Sequence, residues 1–569
     1  MPRTYWEADE HLFGAAVRSF EPLASHPHPP GYPLYVGLGK FAAVFAPSIF
    51  SSLVAISVVA CVAGFVALAL AFQRVIDDPD LAVSGALLFY FGAAMLVHGT
   101  LPMSDSAAIA CAALALYAMT FFPDDASERT AIGLGLASSA AIGIRPQLVV
   151  PLLPVFLFVL FTARDRRKIV AGLVSFGVLS LAWFSQLMDA CGGWDKLVAW
   201  ETKQAAYVAE HDAAASRGAH SASEVASRFL FHPWGPKSIA LPVLFLALLG
   251  AAVFFMRVPA ERRPRALPIL AFSGIHLLFA LNVMDPADGP RYALPSLIAV
   301  SLLAALGLGV VRASLRMRVA PIAAVAIIAL LSWVYVLPIA GTRRRQPSPG
   351  AAAAAFANAH FPANGIVLYD LSLRPQAEVL LGKYKAMSLD KGLAAWYDRP
   401  DVPLLAFGDG AAFAADAHTF AWPESDAYGK LTRNHYRVVT LEEVGPNERF
   451  LPLRGVYATE RTDRLEWRWL MPDAALRLPR GHGRELVITF GLAHDVPYET
   501  NDVDVLVNGV VAGHVRVARR GTAAVTVPLP AVPDVEVTLK SVQSFAPAGV
   551  LHNQDPRILA VQLLRIESR

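Results

Sequence analysis

A succession of long apolar stretches fills residues 49–340, and no other feature limits the possible folds so strongly. A bilayer core about 30 Å thick takes about 20 apolar residues per helix, with somewhat fewer in short or broken ones. Candidate spans lie at 49–72, 81–101, 104–122, 130–145, 147–162, 169–188, 238–256, 266–284, 292–311 and 319–340. Hydrophobic residues make up 55% of the 569 and charged ones only 17%. A water-soluble exterior must be largely polar, so a chain of this size cannot hide that much apolar surface in water. Residues beyond 350 have a mixed composition instead. The expected fold class is a polytopic α-helical membrane protein with a C-terminal soluble region, a small α/β unit followed by a β-sandwich. The expected boundaries are an extracytoplasmic acidic loop at 1–47, a helical membrane domain at 48–340, the α/β unit at 341–450 and the sandwich at 451–569.

The basic residues set the orientation. Arg164, Arg166, Arg167 and Lys168 follow the fifth span, Arg257, Arg262, Arg263 and Arg265 the seventh, and Arg312, Arg316 and Arg318 the ninth. With ten spans these clusters share one side, which the positive-inside rule makes cytoplasmic. The opposite, extracytoplasmic side receives segment 1–47, the loop at Ser104-Asp105, loop 189–237, the loop Asp285–Arg291 and the tail. Arg343, Arg344 and Arg345 break the pattern, but charge counts for little beside a long translocated domain. The expected location is a bacterial inner (plasma) membrane. There is no cleavable signal peptide at the start, so the first span is expected to act as the insertion signal. An extracytoplasmic first segment is expected to need either a further helix upstream of Met1 or translocation by the helices of the second half.

A net charge of +3, with arginines clustered between apolar runs, excludes a nucleic-acid partner. Cys61, Cys111 and Cys191 form no disulfide framework and have no metal-ligand spacing.

The N-terminal segment carries the chemistry. Glu7, Asp9 and Glu10 stand beside aromatic residues at a membrane edge, and Asp9 and Phe13, four apart, share a helix face. The run His26-Pro27-His28-Pro29-Pro30-Gly31-Tyr32-Pro33 cannot be a regular helix, because proline lacks the N–H donor and restricts its predecessor. It is expected to return the chain rigidly to the first span. Acids facing water on an amphipathic helix would be the plain alternative. His26 and His28 lack the helical spacing of a zinc pair. No cofactor is called for; a divalent metal is compatible with the acids, but no spacing indicates one.

Asp9-Glu10-His11-Leu12-Phe13-Gly14, followed by His28-Pro29-Pro30-Gly31-Tyr32-Pro33-Leu34-Tyr35, resembles the first extracytoplasmic loop of the protein O-mannosyltransferases and of the bacterial lipid A aminoarabinose transferases, both GT-C membrane glycosyltransferases. The His follows the acidic pair directly here, and Pro27 stands where an acid often precedes His-Pro-Pro. The sugar-binding repeats of the eukaryotic enzymes are absent. The resemblance implies a GT-C-like fold, a polyprenyl-phosphate sugar donor and inverting transfer on the extracytoplasmic face. The acceptor would be a surface glycan, lipid or protein. Asp9 would be the general base with Glu10 beside it, and His28 would line the substrate site.

Three further positions join these. Asp105 opens the third span, where it reads either as a helix N-cap or as the second acid that GT-C enzymes commonly carry on this face. Arg145 sits in the Ile144-Arg145-Pro146-Gln147 turn, and an ionisable group at membrane depth is a functional candidate by default. Arg291-Tyr292-Ala293-Leu294-Pro295 resembles a late Arg-Tyr-x-x-Pro element of the same enzymes. Arg145 and Arg291 would contact the donor phosphate, as arginine does through paired donors, with Tyr292 beside them. Arg291 has interfacial anchoring as its alternative.

Loop 189–237, with Trp194, Trp200, Tyr207, His211, His220, His232 and Trp234, is expected to lie on the membrane surface over the cavity. In the tail, Gly365–Tyr369, Val402–Phe407 and Tyr436–Leu441 read as strands, and no glycine-rich phosphate loop follows them. Val503, Val505 and Val507 alternate with polar positions before an Asn508-Gly509 hairpin turn. Val525-Val527-Leu529 and Val535-Val537-Leu539 continue that period. Trp467, Trp469 and Tyr498 read as packing residues, with a sugar-facing surface as the alternative. The rival functions are a transporter, which would place charges and broken helices at the midplane, and a non-catalytic sugar-binding membrane protein.

Overall fold

The computed structural model describes residues 3–124, 126–209, 213, 221–388, 402–409, 418–433, 438–443, 450–461, 466–478, 482–550, 555 and 557–569. The chain forms two compact units: Met1–Ser348 with Pro423–His435, and Pro349–Trp422 with Tyr436–Arg569.

The first unit is helical. Two helices, α1 (Ala8–Arg18) and α2 (Pro33–Ala43), precede α3 (Ile49–Ile76), α4 (Pro79–Tyr90), α5 (Ala93–His98), α6 (Asp105–Met119), α7 (Glu128–Ile144) and α8 (Val149–Thr162). Then come α9 (Arg166–Ala190), α10 (Trp194–Tyr207), α11 (Ala222–Ala226), α12 (Lys237–Arg257), α13 (Arg263–Val283), α14 (Gly289–Tyr292), α15 (Leu297–Leu315) and α16 (Ala320–Arg345). Every expected span is helical, but span 81–101 breaks into α4 and α5 at Phe91-Gly92. Seven helices are long and apolar enough to cross a membrane, and Pro79–Tyr90 and Pro146–Thr162 are shorter apolar helices.

Polar caps start several of these helices. Ser48, Asp78, Ser127 and Asp165 each accept a hydrogen bond from an amide in the first turn, which satisfies donors that the helix leaves free. The outward faces are apolar. Val59, Val62, Val66 and Leu70 of α3, and Val170, Val174, Val178 and Leu181 of α9, are exposed at helical spacing. Stripes of this length would be costly in water and are at home in hydrocarbon. The chain is an integral membrane protein.

Inside the bundle, small residues let the helices close up. A Cβ on Gly250 of α12 would fall 1.7 Å from the Leu303 carbonyl oxygen, and one on Gly307 of α15 would fall 2.1 Å from that of Leu246. The two backbones meet through these glycines, as small residues permit in membrane helices. At the end of the bundle holding the C-termini of α3 and α6, Arg265 pairs with Asp124 at 2.8 Å and Arg262 with Asp77 at 2.6 Å, while Arg74 and Arg312 bond Asp124 and Asp78.

The second unit starts with α17 (Pro349–His360) and a five-stranded sheet in the order β2-β1-β3-β5-β4. Its strands are β1 (Ile366–Tyr369), β2 (Lys385–Ser388), β3 (Leu404–Asp409), β4 (His418–Ala421) and β5 (Val438–Glu443). β1 runs parallel to β2 and β3, as in an α/β unit, and β5 is antiparallel to β3 and β4. Two of the three expected strands are present at their places. The third begins at Val438, since Tyr436 lies outside the described residues.

An eight-stranded antiparallel sheet follows, built from β6 (Leu451–Arg461), β7 (Glu466–Leu478), β8 (Glu485–Gly491), β9 (Thr500–Val507), β10 (Val510–Ala518), β11 (Thr522–Pro528), β12 (Val535–Ser541) and β13 (Gln562–Ser568). β7 sits between two neighbours: its end at Asp473–Leu478 pairs with β12, and Arg468 and Trp469 pair with β13. Burial alternates along β9, as the valine period requires. Asn508 and Gly509 both take positive φ, as a two-residue hairpin turn needs. Trp469 is buried in this core, Trp467 and Tyr498 pack against it, and the Tyr498 hydroxyl donates to the Ala560 carbonyl at 2.6 Å. All three have the packing role expected of them.

Candidate active site

Glu7 is the N-cap of helix α1 and makes no side-chain cap bond; three residues on, Glu10 folds back so that its Oε2 accepts the Trp6 amide at 2.7 Å, ahead of the helix. Asp9 and Phe13 therefore share the other face. Phe13 is fully buried, with its ring edge-on to Tyr32 at 5.0 Å and Tyr35 at 4.8 Å, and it tilts toward His28 at 5.7 Å. The proline segment is non-helical until Pro33 opens α2. It places His28 Nδ1 3.8 Å from Asp9 Oδ1. Tyr32 lies between His28 and Gln147, bonded to His28 Nε2 at 3.1 Å and accepting from Gln147 Nε2 at 3.0 Å.

Arg145 ends α7 in an extended conformation, φ −141° and ψ 91°, because Pro146 follows it and starts a tight turn. Its Nη1 donates to Asp105 Oδ1. Asp105 is the first residue of α6, and no side-chain cap bond is made at that terminus. The N-cap reading of Asp105 gives way to a different role: both of its oxygens accept from guanidinium groups, the second from Arg291 Nε at 3.0 Å.

Arg291 lies in the short helix α14, which follows a turn started by Asp285 and Pro286. A Cβ on Gly289 would stand 2.9 Å from Arg228 Cβ and 3.3 Å from its backbone, so only glycine lets this turn close. Arg291 is 5% exposed and Nη1 donates to Asp9 Oδ2 at 2.9 Å and Asp288 Oδ2 at 3.1 Å. Interfacial anchoring does not describe it. The Tyr292 ring faces both cations, 5.7 Å from Arg145 and 5.5 Å from Arg291. Of the three aspartates on Arg291, Asp105 and Asp288 are buried, while the Asp9 side chain is 25% exposed.

The electrostatics follow from this crowding. Burial pushes the Asp9 carboxyl up, but the positive groups facing it, His28 when protonated, Arg291 and Arg433, more than reverse this and hold it well below the carboxylate range. Burial and the same arginines keep His28 below its usual value. Asp288 goes the other way. Burial and the charges of Glu7 and Asp9 push it up to about 7, although Arg291 opposes the change. Three carboxylates share two arginines here, and Asp288 is the one that takes up a proton most readily. Glu10 is also pushed up, to about 8, chiefly by burial and also by Glu7.

The structure thus brings Asp9, His28, Asp105, Arg145, Arg291 and Tyr292 into one cluster. Glu10 faces away from it, toward the N-terminal backbone. Several contributors were missed in the sequence. Asp288 precedes Arg291 by three residues, a pairing distance on any helical turn, in a loop already assigned to this face. Arg343, read as a topology exception, is buried. It donates to Glu7 at 2.6 Å and lies over the Trp6 ring at 5.6 Å, so one of the three arginines has a structural reason to stand there. Loop 189–237 is helical in part, and Phe229 and Trp234 are buried in the bundle rather than lying on its surface, while Trp194 is exposed. His211 and His220 lie outside the described residues. Among the described residues, no three His, Cys, Asp or Glu side chains gather as they would around a metal ion.

No family model matches the sequence, and no curated protein matches it. Solved structures do. ArnT from Cupriavidus metallidurans bound to undecaprenyl phosphate superposes with a TM-score of 0.52 at 14% identity, over 77% of this chain and 94% of that one. This is a GT-C fold. ArnT in the apo state gives 0.49 at 15% identity over the same shares. The mycobacterial arabinofuranosyltransferase AftD gives 0.42 at 12%, over 99% of this chain and 57% of that one. In this chain the clustered residues come from the N-terminal segment, from the starts or ends of α6 and α7, and from the turn before α15.

Proposed function

We propose that the chain is an inverting glycosyltransferase, moving a sugar from a polyprenyl-phosphate donor to a surface glycan, lipid or protein on the extracytoplasmic face of a bacterial inner membrane. One observation carries this: Arg291 is held by Asp9, Asp105 and Asp288 together, and Asp9 is the member open to solvent. In the transfer, the acceptor hydroxyl oxygen attacks the anomeric carbon as the carbon–oxygen bond to phosphate breaks on the opposite face. The hydroxyl proton passes to Asp9, and the electron pair leaves on the polyprenyl phosphate. That leaving group needs cations rather than a strong acid, which Arg291 and Arg145 supply.

Asp9 paired to Arg291 is a weak base. An incoming phosphate that draws the guanidinium away restores its basicity at the moment the acceptor needs it. Asp105 holds both arginines in register, His28 and Tyr292 line the sugar side, and Glu10 acts by holding the Trp6 amide ahead of helix α1. In this reading residues 1–47 and 341–569 are extracytoplasmic, the helical domain spans 48–340, and residues 341–450 and 451–569 are the α/β and sandwich domains.

The test is an Asp9→Asn variant in membranes supplied with labelled polyprenyl-phosphate sugars. Transfer by the wild type and its loss in the variant are expected. Equal transfer by both would remove Asp9 from the chemistry.

A further inference from the structure

Residues 423–435 fall between strands β4 and β5 in the sequence, yet they pack with the helical unit. The segment contains a short helix, α18 (Asp426–Leu431), whose last three carbonyls accept from side chains of the bundle. Arg228 Nη1 donates to Gly429 at 3.2 Å and to Lys430 at 3.0 Å, and the His98 ring bonds the Leu431 carbonyl through Nε2 at 2.7 Å. At the other end the Tyr335 hydroxyl donates to Asp426 at 2.9 Å. Tyr428, Leu431 and Thr432 are buried. Helix carbonyls at a C-terminus lack intrahelical partners, and an arginine there also meets the negative end of the dipole.

What this clamp delivers is Arg433. Its Nη2 lies 3.0 Å from Asp285 Oδ2. Asp285 starts the turn leading to Asp288 and Arg291, its Oδ1 accepting the Ala287 amide at 2.8 Å. The charge of Arg433 is felt at Asp9, His28 and Asp288. Its side chain is 37% exposed, against 5% for Arg291 and 7% for Arg145, so it is the most accessible of these cations.

The geometry points to Arg433 as a third phosphate-binding cation of the site, carried in by a segment that belongs in sequence to the tail and held by the Arg228 and His98 clamp. This rests on the donor reading above. A phosphate reaching the site meets Arg433 at the solvent side, together with the partly exposed Asp9 and the buried Arg291 paired to it. Asp285 holds the guanidinium in place until then.

The test uses the full chain in lipid nanodiscs, titrated with undecaprenyl phosphate and, as a phosphate-free control, undecaprenol. Arg433→Gln is expected to weaken phosphate binding about tenfold, the loss of roughly one charge-assisted hydrogen bond, and to leave undecaprenol binding unchanged. Arg433→Lys is expected to recover part of the loss. Asp285→Asn separates ligand from scaffold: it keeps the amide bond to Ala287 but frees Arg433, so binding is expected to hold or tighten. If Asp285→Asn and Arg433→Gln weaken binding alike, Arg433 only supports the turn and the inference fails. It fails also if the wild type prefers the phosphate and Arg433→Gln binds it equally well. A wild type that does not distinguish undecaprenyl phosphate from undecaprenol would instead overturn the donor reading itself.

Discussion

Arg291 donates to Asp9 at 2.9 Å across 282 residues of chain. The pair joins helix α1 to the turn before α15, and it makes the proposed base and the proposed phosphate ligand partners in the resting site. The basicity of Asp9 is therefore coupled to where the Arg291 guanidinium points.

Asp9→Asn removes the proton acceptor but keeps the side-chain shape. Transfer is expected to fall by about 10²–10⁴-fold, the usual worth of a positioned general base. The thermal midpoint should fall as well, because a neutral amide still accepts from Arg291 but loses the ion pair that holds the carboxyl ionised. A radiolabel transfer assay on membranes, with a melting curve on the same preparation, checks both halves.

Replacing Arg291 by Gln leaves three carboxylates with one fewer cation in a buried cluster. A broken buried pair costs about 3–5 kcal/mol, so the variant should unfold at markedly lower temperature or denaturant. Arg291→Lys keeps the charge but loses the fork that reaches Asp9, Asp105 and Asp288 together. Its stability should fall between the two. Unfolding followed by tryptophan fluorescence reads the order, and an Arg291→Gln protein as stable as wild type would contradict the cluster.

Gly289→Ala tests the turn. The added methyl would press on Arg228 at 2.9 Å, an overpacking strain of about 1–3 kcal/mol. Activity is expected to drop along with the melting temperature, since the same turn carries Arg291. A fully active, fully stable Gly289→Ala would mean that the approach to Arg228 relaxes freely.

Glu10 makes a pH prediction. Its folded-state pKa is raised from 4.5 to about 8, chiefly by burial. The contribution of its neutral form to stability is thus fully present below about pH 4.5 and lost as pH rises through about 8. Glu10→Gln keeps an oxygen for the Trp6 amide and has no proton to lose. The fall in melting temperature from pH 6 to pH 9 should be shallower in the variant than in wild type, with transfer activity near neutral pH largely retained. An identical slope would show that Glu10 does not titrate there.

The sequence by itself determined the helical membrane part, the β-rich tail and the cluster of functional candidates. Apolar runs such as Ile49–Ile76 have no stable place in water whatever their neighbours, so their fate is local and visible. Pro146 places Arg145 in an extended turn, Asn508-Gly509 closes a hairpin, and acids stand in the first turn of the helix that carries Phe13, each through backbone chemistry confined to a few residues. Tertiary structure alone decided which polar groups meet. Asp105 could have capped its helix and instead received Arg145 and Arg291. Arg343 became the buried partner of Glu7, and Arg433 was carried from the tail to Asp285. The strength of such pairings depends on burial and on the partner's position in space, which sequence distance does not encode.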